Sequence, residues 1–359
     1  MTALTDLPSE ILCEIMRVAG QPARVQSMLA CKSLSSAAGS PGVWESVTFA
    51  DLDDTAVDFM LKHRCATVTV ISVTPDDVAW FLHKLADTGC GDCIADLRLE
   101  IGMVQRLPED LLCAVGRHAG LQHFAMTVDD MDQGCEICFS RSAQLLDLRT
   151  LSIVERSAEV KQLAVWFDGS QSRFPQLRSL ELEVALSDVL AGACHMPHLR
   201  RLVYRADDDE GGETYEDACL TGCELDHLEL DVGADSDMRY LCRQISKAAV
   251  RRLVLHVTDD FLDLSRPLST ELEDLVISMC TTQAEIELDF LALLAHKRLK
   301  RLELRLGAPW ITADPAVAAG CEHTLVFRHV PAVRDWVDLM GRRVELKLAP
   351  TTRACISPV

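Results

Sequence analysis

Leu177-x-x-Leu180-x-Leu182, Leu199-x-x-Leu202-x-Tyr204, Leu225-x-x-Leu228-x-Leu230 and Val250-x-x-Leu253-x-Leu255 are four consecutive copies of one phrase, apolar-x-x-apolar-x-apolar. Upstream the same phrase reads Ile94-x-x-Leu97-x-Leu99, Leu121-x-x-Phe124-x-Met126 and Leu148-x-x-Leu151-x-Ile153. Downstream it reads Leu272-x-x-Leu275-x-Ile277 and Leu299-x-x-Leu302-x-Leu304, and successive copies lie 22 to 29 residues apart. Within each copy the alternating anchors are expected to point into a core and the residues between them outward, as in a short strand with one buried face. A unit of this size cannot bury its own apolar face, so neighbouring copies must share one core. Weaker copies are read at Val68-x-x-Ile71-x-Val73, at Leu325 with Phe327, and at Val344 with Leu346 and Leu348. The segments between copies return the chain to the next strand. The spacing predicts helices over 109–118, 158–167, 238–248, 285–296 and 333–340. Val160-x-x-Leu163-x-Val165 also fits the phrase but falls half a period from its neighbour, and is read as part of the helix over 158–167.

The chain has 359 residues, 48% apolar and 25% charged, as expected of a soluble folded protein. Aromatics are 5%, so aliphatic side chains must fill the core. No apolar run reaches the roughly 18 residues of a membrane span, and residues 1–10 lack the pattern of a secretory signal. The 15 cysteines are therefore expected as free thiols in a reducing compartment. A net charge of −20 argues against non-specific nucleic-acid binding and against anionic membranes, both of which select basic surface.

Residues 4–49 lack the repeated phrase. Leu7-Pro8-Ser9-Glu10-Ile11 opens a helix with proline in its first turn, and Ile11, Ile15 and Ala19 share a stripe with Leu12 and Met16 beside it. Gly20 and Pro22 end that helix. A second helix is predicted from Ala23 to Lys32, with Val25, Met28 and Leu29 on its apolar face, and a third from Ser33 to Ala38. Three short helices make a small core, narrower than this apolar stripe. Part of it is expected to stay open for a partner.

This segment resembles an F-box, whose opening Leu-Pro-x-Glu-aliphatic motif matches residues 7–11 and whose closing Pro-x-x-Trp matches Pro41 and Trp44. Cys31-Lys32 matches the middle of the family pattern, with Leu34 where the family has tryptophan. The repeated phrase resembles leucine-rich repeats of an irregular kind, because the Asn or Cys that closes the family's repeat appears only as Cys280. Together the two resemblances imply an α/β fold: a three-helix F-box over 4–49, a leucine-rich-repeat solenoid over 60–348 with a curved parallel sheet and helices on its convex side, and a loose tail over 349–359. They imply the substrate-recognition subunit of a cullin–RING (SCF-type) ubiquitin ligase, cytoplasmic or nuclear. The F-box would bind a Skp-family adaptor, and through it a cullin, by Leu7, Pro8, Ile11, Leu12, Ile15, Met16, Val25, Leu29 and Trp44.

The repeats would hold a protein substrate. Out-facing strand residues are the candidates: Glu181, Glu183, Arg201, Arg205, Glu229, Asp231, Arg252, His256, Arg301 and Arg305. Their signs alternate between copies, so part of the charge must be spent on side-to-side pairing. The acidic run DDDEGGETYED over 207–217 reads as a solvated loop.

Cys90-x-x-Cys93 and Cys135-x-x-Cys138, with His83 nearby, are the only sets with metal-ligand spacing. Their separation exceeds that of a zinc ribbon, and no metal or cofactor is expected. No phosphate loop, nucleophile elbow or His-Glu-x-x-His motif occurs. The chain reads as a non-enzyme. An acidic repeat scaffold that clamps a basic protein without ubiquitin is the alternative.

Overall fold

The computed structural model describes residues 7–307, apart from 31, 41–42, 72–73, 105–106, 108–109, 132–133, 140–144, 158–160, 168–173, 207–218, 233–237, 258–260, 264–267, 281–284 and 290–297, together with 324–327 and 345–348. The chain is a mixed α/β protein built on a large parallel sheet. It divides into two compact units, one of residues 1–135 and 141–152, the other of 136–140 and 153–359.

In the first unit, helices α1 (Ser9–Val18), α2 (Gln21–Ala30) and α3 (Lys32–Ala38) follow one another with little linker. Pro8 is the N-cap of α1 rather than a residue of its first turn, and its carbonyl accepts the amides of Ile11 and Leu12, both at 3.1 Å. Leu12, Met16, Leu34, Ala37 and Ala38 are buried together with Trp44. The Trp44 indole N–H donates to the Ala38 carbonyl at 2.5 Å, and its ring meets Phe59 edge-on at 4.9 Å. Arg24 spans the module. It donates to the carbonyls of Arg17 (3.1 Å) and Ala19 (2.7 Å) at the end of α1, and to that of Val43 (2.8 Å). These bonds satisfy carbonyls that a helix end leaves without partners.

Four strands of this unit, Ser46–Phe49, Thr67–Ile71, Asp96–Val104 and His123–Met131, run parallel. Helices α4 (Asp54–His63), α5 (Pro75–Asp87) and α6 (Asp110–Gly116) occupy the connections between them. The register aligns Val47, Val68, Leu97 and Phe124 in one row and Phe49, Val70, Leu99 and Met126 in the next. Two corrections to the sequence reading follow. The early copy is Cys65-x-x-Val68-x-Val70, three residues ahead of the frame expected at Val68, and all three side chains are buried. A further copy, Trp44-x-x-Val47-x-Phe49, lies inside the segment read as the helical module. The outer edge of the Ser46–Phe49 strand is closed by the Gln21 amide. Its N–H donates to the Thr48 carbonyl and its oxygen accepts the Thr48 amide, each at 2.6 Å. An edge strand paired in this way offers no template for another chain.

His118 is fully buried beneath these connections, its ring nitrogens 3.0 Å from the Gly91 carbonyl and 3.1 Å from that of Leu82. Burial holds its pKa below the ordinary 6.5, as it does for His63. The unfolded chain thus takes up protons near pH 6.5 that the folded chain refuses, so stability must fall as pH drops below that value. The urea midpoint of the whole chain is expected to decline between about pH 7 and about pH 5.5. A midpoint that is flat or rising through that window would show that the buried ring is already protonated.

In the second unit the ladder is more regular. Strands Ser179–Val184, Arg201–Ala206, Glu224–Val232, Ala249–Val257, Asp274–Cys280, Arg301–Gly307 and Glu345–Leu348 pair in parallel. One row of that register is leucine throughout: Leu180, Leu202, Leu228, Leu253, Leu275, Leu302 and Leu346. The first five are fully buried, each stabilising by roughly 1.5–3 kcal/mol against exposure.

Some connections differ from expectation. The predicted helix at 238–248 is helix α8, Met238–Ile245, after α7 at Val189–Gly192. The segment over 158–167 instead contains a strand, Leu163–Trp166, in which Leu163 and Val165 are buried and their neighbours half-buried. It pairs with Leu186–Ser187. The segment over 285–296 likewise begins as a strand, Glu285–Asp289, pairing with Phe261–Asp263 and with Thr324–Phe327. Period-two alternation at both sites, as in Glu-Ile-Glu-Leu-Asp, outweighs the helical composition nearby. Leu325 and Phe327 thus belong to a small three-stranded sheet and not to the main one. The helix expected over 333–340, the acidic run 207–217 and the tail 349–359 lie outside the described residues.

Candidate functional site

Helix α1 carries two apolar stripes, and the fold uses only one. Leu12 and Met16, each 3% exposed, face the module core. Ile11 (49%), Ile15 (37%) and Val18 (78%), at positions i, i+4 and i+7, face outward. Val25 on α2 is exposed as well. Among the described residues the exposed large apolar side chains are these four with Trp80 and Leu146. Two thirds of that set therefore falls on the first two helices, and the α1 stripe is the one place where such residues recur at helical spacing. Glu14 and Arg17, paired at 2.8 Å, lie on the same exposed helix.

The sequence candidates for this surface separate accordingly. Pro8, Ile11, Ile15 and Val25 are exposed, and Leu7 is half-buried. Leu12, Met16 and Trp44 are core residues and do not line the surface, because α3 and the Ser46–Phe49 strand consume them. Leu29 lies on α2, and its side chain is outside the described residues. Val18 was missed by the sequence reading, although its place seven residues after Ile11 marks it.

The second candidate surface is the strand face opposite the leucine row. Its charges are largely spent on one another. Arg201 bonds Glu181 at 3.2 Å. Arg205 bridges Glu183 at 3.1 Å and Glu229 at 2.5 Å. Glu229 also meets His227 at 3.1 Å and His256 at 3.0 Å. The register sets up these pairs, since Arg205 stands directly opposite Glu183, while Glu229, opposite Val203 and Val254, meets Arg205 and His256 diagonally, two residues along the neighbouring strands. Hydrogen bonds from His227, then His256, then Arg205 hold the Glu229 carboxyl far below the usual carboxylate range, against the opposing effect of burial. Glu229 and His256 are themselves buried, as are the out-facing Val203, Val254 and Val276. The open recognition face expected from the sequence is thus closed along its middle row. Arg301 bonds Glu303. Asp231 is half-buried, and Arg305 stands opposite Ser278 in the strand register, its side chain lying outside the described residues. The half-buried Arg252 has a buried Nε–H that meets no acceptor among the described residues.

A buried carboxylate that serves an arginine and two histidines is costly to remove. Glu229→Ala is expected to destabilise the chain by about 3 kcal/mol in urea unfolding, with Glu229→Gln losing less because the amide keeps an acceptor. A change below about 0.5 kcal/mol would mean that the network does not support the fold.

The C-x-x-C sets lead elsewhere. Cys90 and Cys93 flank a 3-10 turn, Gly91–Cys93, in which the Cys93 amide donates to the Cys90 carbonyl at 3.1 Å. Cys135 is buried apart from them, with its thiol 3.8 Å from the Leu107 carbonyl. His83 is engaged with Asp110 at 2.9 Å and Arg117 at 3.1 Å. Among the described residues no cluster of three or more metal-ligating side chains occurs, and no helix is long and apolar enough to cross a membrane. No protein-family model matches the chain, and no curated protein matches it.

Proposed function

We propose that this chain is an F-box protein with leucine-rich repeats, the substrate-recognition subunit of an SCF-type ubiquitin ligase that acts in the cytoplasm or nucleus. The observation that carries the reading is the outward stripe of Ile11, Ile15 and Val18 on a helix that has already buried Leu12 and Met16. A second apolar stripe on a small module is a surface for another polypeptide. The Leu7-Pro8 opening at its start is what the resemblance requires of a Skp-family adaptor site. The in-register leucine row supports a repeat architecture behind it. In this reading the chain performs no chemistry of its own. It holds a substrate lysine near the thioester of a ubiquitin-charged enzyme, replacing a bimolecular encounter with an effectively intramolecular one. Arg252 and the half-exposed Arg201 and Glu181 are the strand-face groups best placed to read a substrate.

The test is affinity purification of the intact chain from eukaryotic cells, followed by mass spectrometry. A Skp-family adaptor and a cullin are expected at near-stoichiometric levels. Their absence, with other proteins retained, would favour the scaffold that acts without ubiquitin. Deleting residues 1–49 is an unsuitable control, because it removes the Ser46–Phe49 strand and uncovers the edge of Thr67–Ile71. Point changes on the outward stripe avoid that damage.

A further inference from the structure

The outer strand face of the second unit breaks its own pattern at one place. One row of that face runs Arg201, His227, Arg252, Asp274, Arg301, each directly opposite the next on the neighbouring strand. Three of the five turn to a glutamate of the adjacent row: Arg201 to Glu181 at 3.2 Å, His227 to Glu229 at 3.1 Å, and Arg301 to Glu303. On strands Ala249–Val257 and Asp274–Cys280 the adjacent row holds Val254 and Val276 instead, both buried. The glutamate diagonally across from Arg252 is Glu229, which already serves Arg205, His227 and His256. Arg301, the basic neighbour of Asp274, is taken by Glu303. Arg252 and Asp274 are both half-buried. Among the described residues no hydrogen bond or ion pair engages either side chain, and the two do not bond each other.

A guanidinium only donates hydrogen bonds and a carboxylate only accepts them. Side by side and unspent, the two offer one of each, with no net charge between them. A plain oxyanion gains from Arg252 what it loses to Asp274, and a plain cation meets the reverse balance. A group that presents an acceptor to Arg252 and a donor to Asp274 gains from both. The amide is that group, whether the carboxamide of Asn or Gln or a peptide unit of the main chain. Polar groups left unpaired in this way also reject what does not match them, because the mismatch leaves them unsatisfied.

We propose that Arg252 and Asp274 form a donor–acceptor pair that reads an amide of a bound polypeptide. Arg252 donates to the amide oxygen, and Asp274 accepts the amide N–H. The rest of the row, already engaged with Glu181, Glu229 and Glu303, keeps the neighbouring charges from competing for either residue. This site presupposes the reading of the strand face as the substrate surface, and it gives that surface a specificity: amide in preference to acid.

The test selects short random peptides displayed on phage against the intact chain, with adaptor titration on the same preparation. Selected peptides are then synthesised and titrated against wild type, Arg252→Ala, Asp274→Ala and Asp274→Asn. Each alanine change is expected to weaken binding about tenfold or more. An Asn or Gln fixed across the selected set identifies the side-chain amide. Its replacement by Asp or Glu should weaken binding to wild type and restore it against Asp274→Asn, whose amide donates where the carboxylate cannot. A set with no fixed residue, whose binding is lost when one peptide bond is N-methylated, identifies the main chain. In urea unfolding the two alanine changes should combine with a coupling of no more than about twofold in the equilibrium constant. Coupling near tenfold would mean that the two charges pair with each other, and would overturn the proposal. Ligands that keep their affinity in both alanine variants, or a selection that yields none, would overturn it too. With adaptor binding intact, those results remove this site and leave the ligase reading standing; absent adaptor binding removes that reading instead.

Discussion

A chain carrying Ile11→Asp and Ile15→Asp is expected to lose adaptor affinity on the order of a hundredfold or more while keeping its stability. Both side chains are exposed, 49% and 37%, so neither contributes much to the core. Ile11→Asp falls in the first turn of α1 (Ser9–Val18), where the helix dipole favours a carboxylate, whereas Ile15→Asp falls in the last turn, where it costs roughly a few tenths of a kcal/mol, so the net stability change should stay within about 1 kcal/mol. At an interface the same changes put two carboxylates where an apolar partner closes over them. Central apolar anchors are typically worth about 2 kcal/mol or more each, and about 1.4 kcal/mol is a tenfold change in affinity. The measurement is titration of purified adaptor into wild-type and variant chains, with urea unfolding alongside. Unchanged affinity in a stably folded variant would remove the outward stripe from the interface.

The inward half of the same module should respond in the opposite way. Trp44→Ala is expected to cost roughly 3–5 kcal/mol, the range for deleting a buried large aromatic. Trp44 is 2% exposed, donates to the Ala38 carbonyl, meets Phe59 edge-on and lies 5.3 Å beneath the Arg24 guanidinium. It is also the first anchor of the Trp44-x-x-Val47-x-Phe49 copy, so its loss loosens α3 and the Ser46–Phe49 strand together. Trp44→Phe keeps most of the volume and loses the indole bond, and should cost about a third as much. Chemical unfolding of the intact chain reads both. A loss below about 1 kcal/mol for the alanine variant would mean that the helices and the first strand are not joined through this ring. Adaptor titration at a temperature where Trp44→Ala remains folded separates the two roles, since the outward stripe is untouched.

The contrast shows where the sequence carries information and where it does not. The phrase placed the strands of the second unit because their anchors are almost all leucine, and identical anchors leave no ambiguity of frame. At Val68 the frame slipped by three residues because valine and isoleucine recur there at several offsets, and only pairing with Leu97 decides between them. The connections were misread at Leu163–Trp166 and Glu285–Asp289 because five residues of alternation are a weak signal beside a longer helix-forming stretch. At the candidate site, the helical wheel showed that α1 is too apolar for its module. It could not say whether Ile11 with Ile15 or Leu12 with Met16 turns inward. That choice is made by α3, through Leu34, Ala37 and Ala38. On the strand face, the cross-strand pairs of Arg205 could be read by aligning copies. The burial of Val203, Val254 and Val276 could not, because alternation alone marks them as outward.

Hydrogen–deuterium exchange of the intact chain, with and without a purified Skp-family adaptor, tests the central claim most directly. The account predicts added protection concentrated in Ser9–Val18 and Gln21–Ala30, with the leucine-row strands of the second unit unchanged. Protection confined to those strands, or no protection anywhere at saturating adaptor, would contradict it.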